Sequence, residues 1–135
     1  MRDYYNTEKT LETYRKELPE VDSGWPPPLP RAVRCIHTHL LEPQLTVRWM
    51  RKQCRINGHN FSALFKYYVG PSPQQYIIEH RIAAGCRLLQ SAPVDYPILH
   101  VALAIGFSSH SAFSRTFKRR KGVTPSEFRQ LSKKC

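Results

Sequence analysis

The sequence predicts an all-α protein, and three features of its 135 residues predict it. Capping residues mark several helix starts, apolar residues recur at three- and four-residue spacings, and no run alternates as a half-buried strand would. Ser72-Pro73-Gln74-Gln75 and Thr124-Pro125-Ser126-Glu127 each place a hydroxyl at the N-cap, proline at the first helical position and Gln or Glu at the third. This is the reciprocal capping pattern, in which proline's missing N–H costs nothing. Pro97 opens another helix, and Gly106 is placed to end it in the left-handed conformation that glycine adopts freely. These marks predict seven helices, near residues 31–41, 46–55, 58–68, 73–90, 97–105, 109–120 and 125–131.

A further segment precedes them. Tyr4, Leu11, Tyr14 and Leu18 recur at helical spacings among alternating charges, so residues 3–18 read either as a short amphipathic helix or as a frayed tail. Gly24-Trp25-Pro26-Pro27-Pro28 and Pro30 then read as an extended, polyproline-like linker. Charge divides the chain at the same place. Residues 1–28 hold four Lys/Arg against six acids, whereas residues 29–135 hold seventeen against Glu42, Glu79, Asp95 and Glu127. Such asymmetry exceeds what solubility requires and fits a surface for a polyanion, with nucleic acid the default. Accordingly we expect an acidic N-terminal segment, 1–28, and one basic domain, 29–135.

Other classes find little support. Cys35, Cys54, Cys86 and Cys135 form no CxxC and have no paired histidine nearby, and His37 and His39, two apart, diverge on a helix, so neither a metal nor a cofactor is expected. No run of about 18 apolar residues and no signal peptide occur, so membrane insertion and secretion are not expected and the cytoplasm is the expected location.

The basic domain repeats itself. A shift of 52 residues superposes Phe61 on Phe113, Ser62 on Ser114, Phe65 on Phe117, Lys66 on Lys118, Gly70 on Gly122 and Pro73 on Pro125. Upstream the shift becomes 51, pairing Val47 with Ile98 and Met50 with Val101, so the turn between has gained or lost one residue. Each unit is helix, short turn, helix. The expected architecture is therefore two helix-turn-helix subdomains, about 46–68 and 97–120, joined by a long connecting helix, about 73–90. At about 100° per residue, His110, Ser111, Ser114, Arg115, Lys118 and Lys121 share one arc of the helix, and Ala112, Phe113, Thr116 and Phe117 the other. An apolar face to seat the helix and a small, polar face to meet base edges is what the second helix of such a unit requires. A helical module whose basic face meets an acidic protein is the alternative.

ILHVALAIGFSSHSAFSRTFKRRKGVTPSEFR, residues 98–129, closely resembles the C-terminal signature of AraC/XylS-type transcriptional regulators. SPQQYIIEHRIAAGCRLL is similar to that family's connecting helix, with Tyr76 and Arg81 at its aromatic and arginine positions, and LTVRWMRKQCRINGHNFSALFK to its first unit. The resemblance implies a non-enzymatic activator that binds double-stranded DNA as a monomer. It would insert helices 58–68 and 109–120 into successive major grooves of an asymmetric bipartite site and contact RNA polymerase. It assigns base reading to His110, Ser111, Ser114 and Arg115 in the second unit and to His59, Ser62 and Ala63 in the first. Lys66, Lys118, Lys121, Arg51 and Arg55 fall to phosphates. Residues 1–28 are too few for the family's effector-binding barrel, so an effector pocket is expected only if the chain is the DNA-binding part of a larger sensor protein, and the segment is expected to be dispensable for DNA affinity.

Three positions depart from the family. Its first unit has a small residue under the recognition helix and a glycine in the turn, where this chain has Arg51 and Arg55. A side chain at positive φ costs on the order of 1 kcal/mol, so either that turn is built differently or the arginines point outward. Gly85, where alanine is usual, marks either close packing or a soft point.

Overall fold

A computed structural model describes residues 2–133, with side chains from Asn6 onward; Tyr4 of the expected apolar stripe and Cys135 lie outside the described side chains. Eight helices follow in order: α1 Arg2–Lys16, α2 Leu29–His39, α3 Val47–Gln53, α4 Phe61–Val69, α5 Pro73–Ser91, α6 Ile98–Ala104, α7 His110–Lys121 and α8 Pro125–Lys133. The last seven are the predicted seven, and α1 is the helix that residues 3–18 left open.

Local chemistry accounts for the starts. Ser72 Oγ accepts from Gln75 N at 3.2 Å while Gln75 Oε1 accepts from Ser72 N at 3.4 Å, which opens α5. The same exchange between Thr124 and Glu127, at 3.1 and 2.9 Å, opens α8. Thr46 and Ser109 cap α3 and α7 through bonds from Trp49 N and Ala112 N.

The proline-rich stretch departs from expectation. Residues 22–28 make two turns, closed by Trp25 N to Asp22 O and Leu29 N to Pro26 O, instead of running extended. Helix α2 then begins at Leu29, with Pro30 inside its first turn. A first-turn residue has no intrahelical acceptor for its N–H, so proline there loses nothing.

Connecting helix α5 is the spine, packed against α1, α4, α6 and α8. Its Ile82, Leu88 and Leu89 are buried with Phe65 of α4 and Phe113 and Phe117 of α7. Gly85 belongs to this contact: a Cβ there would lie 3.0 Å from Ile105 Cδ1 and 3.3 Å from a Phe113 ring carbon. Close packing, not softness, is its role.

Helix α1 docks on the same spine. Leu11 and Tyr14 are buried, Tyr14 Oη bonds His80 Nδ1 at 2.8 Å, and Glu17 pairs with Arg87. Burying those two side chains contributes roughly 3 kcal/mol. Deleting residues 1–28 is therefore expected to lower the melting temperature clearly while leaving the DNA affinity of still-folded protein unchanged or slightly raised. Thermal denaturation and DNA titration of the truncated chain check the two halves separately.

Around Tyr14 lie two half-buried histidines. His37 Nε2 is hydrogen-bonded to Tyr76 Oη, and the Tyr76 ring meets His80 edge-on at 4.5 Å. Burial first, then His80, push His37 down to about 4, and burial lowers His80 against the opposing pull of Glu79. Both rings are held neutral. The unfolded chain, with histidines near 6.5, therefore binds more protons than the native one between about pH 6.5 and 4. The stability that these rings contribute is complete above that window and falls as the pH drops through it. Partial solvent access limits the fall to a few degrees in melting temperature. Melting curves at pH 7 and pH 5 should differ in this sense, and His37→Gln should shrink the difference.

Candidate nucleic-acid interface

The second unit is built as its sequence reads. Phe113 and Phe117 are fully buried, their rings tilted edge to face at 5.6 Å, and Phe117 meets Phe128 of α8 at 5.4 Å. These contacts seat α7 by one face. The opposite face carries His110, Ser111, Arg115, Lys118 and Lys121, all exposed, with Ser114 half-buried and its hydroxyl 3.4 Å from His110 Nδ1. Among the described residues Arg115 forms no ion pair with Glu79 or Asp95. Lys118, Arg119, Arg120 and Lys121 crowd the last turn, where the helix dipole favours cations, before Gly122 ends the helix at φ 81°.

The two turns share one backbone pattern. In the second unit Ile105 N bonds Val101 O, Gly106 N bonds Leu103 O and Phe107 N bonds Ala102 O; in the first, Cys54 N bonds Met50 O, Arg55 N bonds Lys52 O and Ile56 N bonds Arg51 O. Each pair is related by the 51-residue shift. Arg55, at φ 53°, thus adopts the left-handed conformation that Gly106 adopts at φ 98°. Its exposed side chain meets no obstacle, so only the intrinsic backbone cost is incurred. At Gly106 space matters as well, because a Cβ would lie 2.8 Å from the Arg81 guanidinium carbon.

Arg51 differs from the free phosphate-binding arginine expected of it. Its Nη2 donates to Gly58 O at 2.6 Å and its Nε to Ile56 O at 3.4 Å, and the guanidinium lies over the Phe61 ring at 5.4 Å. The side chain holds the turn, satisfying carbonyls that have left the helix before the next one begins.

Beyond that turn the units diverge. Helix α4 starts at Phe61, not at residue 58, because Gly58, at φ 104°, and the residues after it form a bend. Phe61 corresponds to Phe113, which sits one turn inside α7. The first unit therefore lacks the opening helical turn of the second. His59, expected on the recognition helix, projects instead from the bend, exposed, while Ser62 and Ala63 are exposed in the first turn of α4 and Lys66 one turn later. The segment is one residue shorter than in the second unit, and Arg51 holds Gly58 O at the bend, which delays the helix start.

Some exposed groups on these faces escaped the sequence reading. Arg48, Lys52 and Asn57 line a surface concavity with Arg55, Gly58 and His59, a grouping that only the fold creates. Tyr67, 82% exposed, follows Ala63 by one turn on the outer arc of α4. Extending the helical wheel by one turn would have found it.

One side chain touches both units. Arg81 of α5, 9% exposed, donates from Nε to Leu40 O at 2.8 Å and from Nη2 to Glu42 O at 2.7 Å and Leu45 O at 3.2 Å, which fixes the segment leading into α3. Its guanidinium also packs against Gly106 in the second turn. The connecting helix thereby sets the placement of one unit relative to the other.

Comparison with known proteins agrees with this geometry. A helix-turn-helix domain family matches residues 52–131, from the end of α3 through the connecting helix and the whole second unit. A solved transcriptional regulator of Chromobacterium violaceum, described as containing an AraC-type DNA-binding domain, superposes with a TM-score of 0.61 at 27% identity over 76% of this chain and 92% of that one. The chain belongs to the AraC-type helix-turn-helix family. The C-terminal domain of AraT, a response regulator from Geobacillus stearothermophilus, superposes with a TM-score of 0.73 at 26% identity, covering 81% of this AraC-type chain and 88% of that domain. Among curated relatives, the transcriptional regulator AlkR of Acinetobacter baylyi is 33% identical over 106 residues, 78% of this chain and 34% of AlkR. The chain thus spans about a third of the length of that relative. AraC-type proteins are DNA-binding regulators, not enzymes, and no described helix is long and apolar enough to cross a membrane.

Proposed function

We propose that this chain is a sequence-specific transcriptional regulator that binds duplex DNA as a monomer. It would place α4 and α7 in successive major grooves on one face of an asymmetric, bipartite site. The observation that carries this reading is the pair of turns with one hydrogen-bond pattern, each presenting the exposed polar face of a following helix. In the second unit His110, Ser111, Ser114 and Arg115 read bases; in the first, His59, Ser62 and Ala63 do. Lys66, Lys118, Lys121 and Arg55 bind phosphates, joined by Arg48 and Lys52. Arg51 serves the same interface indirectly, by holding the turn. Activation through RNA polymerase is the expected output of a regulator of this kind.

The two units should read DNA unequally. The outer face of α4 offers Ser62, Ala63, Lys66 and Tyr67, without an arginine whose rigid planar fork matches guanine as that of Arg115 does. Selecting bound sequences from a random duplex pool should give a motif whose information lies mainly in the half-site of the second unit. Equal information in both half-sites would refute the assignment, and failure to enrich any sequence would refute the function.

A further inference from the structure

The two recognition helices are seated alike but present different chemistry. Phe61 and Phe65 are buried on α4 with their rings edge to face at 5.9 Å, as Phe113 and Phe117 are on α7. The 52-residue shift therefore relates the outer faces as well as the buried ones. It places Ala63 where α7 carries Arg115, and Tyr67 where α7 carries Arg119. All four residues are exposed. On α4 the arginine of the reading position is thus reduced to a methyl group, and the next turn supplies an aromatic ring in place of a cation.

Tyr67 is the most exposed large hydrophobic side chain among the described residues. An edge-to-face contact with the ring of Tyr68, 4.9 Å between centroids, braces it, while most of its apolar surface stays in water. Long side chains on a helix lean toward its N-terminus, so each covers the surface over the turn before its own Cα. For Tyr67 that turn carries Ala63, four residues earlier on the same face, whose small side chain leaves room for a ring.

On the DNA-binding reading above, we propose that Tyr67 is a specificity-determining residue of the first unit, which with Ala63 reads the 5-methyl group of a thymine in its half-site. Thymine alone among the four bases presents a methyl group on its major-groove edge. An aromatic ring beside an alanine methyl meets that group by apolar contact, and neither offers the paired donors that guanine needs. Covering one methyl group discriminates less than a bidentate arginine contact does, so the first half-site carries the smaller share of the information. Lys66 and Lys118, also related by the shift, keep a common role at phosphates.

The experiment uses the full chain and the duplex enriched from the random pool. Its first half-site is the one whose preference Arg115→Ala leaves unchanged. Each thymine there is replaced in turn by uracil, which removes the 5-methyl group and keeps the base pair. At one or two positions the parent chain should bind about fourfold more weakly. Tyr67→Ala should lose a similar factor on the thymine duplex and bind thymine and uracil duplexes equally, whereas Tyr67→Phe should retain the preference. Both variants should melt close to the parent, since the side chain is exposed, and the uracil series on the parent chain decides the methyl contact without any variant. A parent chain indifferent to every methyl in the first half-site would overturn the proposal. So would equal weakening by Tyr67→Ala on enriched and unrelated duplexes, or a loss on Tyr67→Phe as large as on Tyr67→Ala, either of which makes Tyr67 a backbone ligand. Enrichment of no sequence at all would instead sink the DNA-binding function, and this assignment with it.

Discussion

Replacing Arg81 with alanine is expected to destabilise the fold by about 3–5 kcal/mol, a fall of roughly 10 °C or more in melting temperature. Its guanidinium supplies three hydrogen bonds to main-chain oxygens, two of them buried, of Leu40, Glu42 and Leu45. Alanine would leave those carbonyls short of a donor in a site too enclosed for water to replace every bond, and would open a void beneath Gly106. Burial lowers the pKa of Arg81, but an arginine starts so high that it stays charged. Arg81→Lys should recover only part of the loss, because one ammonium cannot reproduce the fork that meets three acceptors. Urea denaturation of the three proteins measures the series. An alanine variant within about 0.5 kcal/mol of the parent would show that the segment around residues 40–45 is held by packing alone.

Arg115→Ala is expected to remove discrimination at one operator position, by about 1–3 kcal/mol or roughly 5- to 150-fold, while leaving non-specific binding largely intact. Arg115 is exposed one turn into α7, flanked by Ser111 and Ser114, whose small side chains let a base edge approach. Lys118, one turn farther on, should behave differently: Lys118→Ala should weaken all sequences alike and reduce the slope of log affinity against log salt by about one. Titrating both variants against operator and unrelated duplexes at several salt concentrations separates a reader from a phosphate ligand. Equal loss by Arg115→Ala on operator and unrelated DNA would move Arg115 to the phosphate class.

Both capping boxes, the seven helices of the basic domain, the 51- and 52-residue shifts and the two arcs of α7 could be read without coordinates. Each rests on interactions between residues a few positions apart, or on a helical period that burial of Phe113 and Phe117 must respect. The start of α4 could not be read so. The missing residue was visible in the repeat, but whether its loss shortened the turn or the helix depended on Arg51 reaching Gly58 O and on Gly58 adopting positive φ. The prolines at 26–28 were likewise ambiguous, since the same residues serve an extended linker or tight turns leading into a helix. Only the tertiary structure decided that Leu11 and Tyr14 complete the core against α5 and that Arg81 joins the two units. These are contacts between residues far apart in the chain, and no local periodicity or cap encodes them: their partners are chosen by which faces the folded helices bring together.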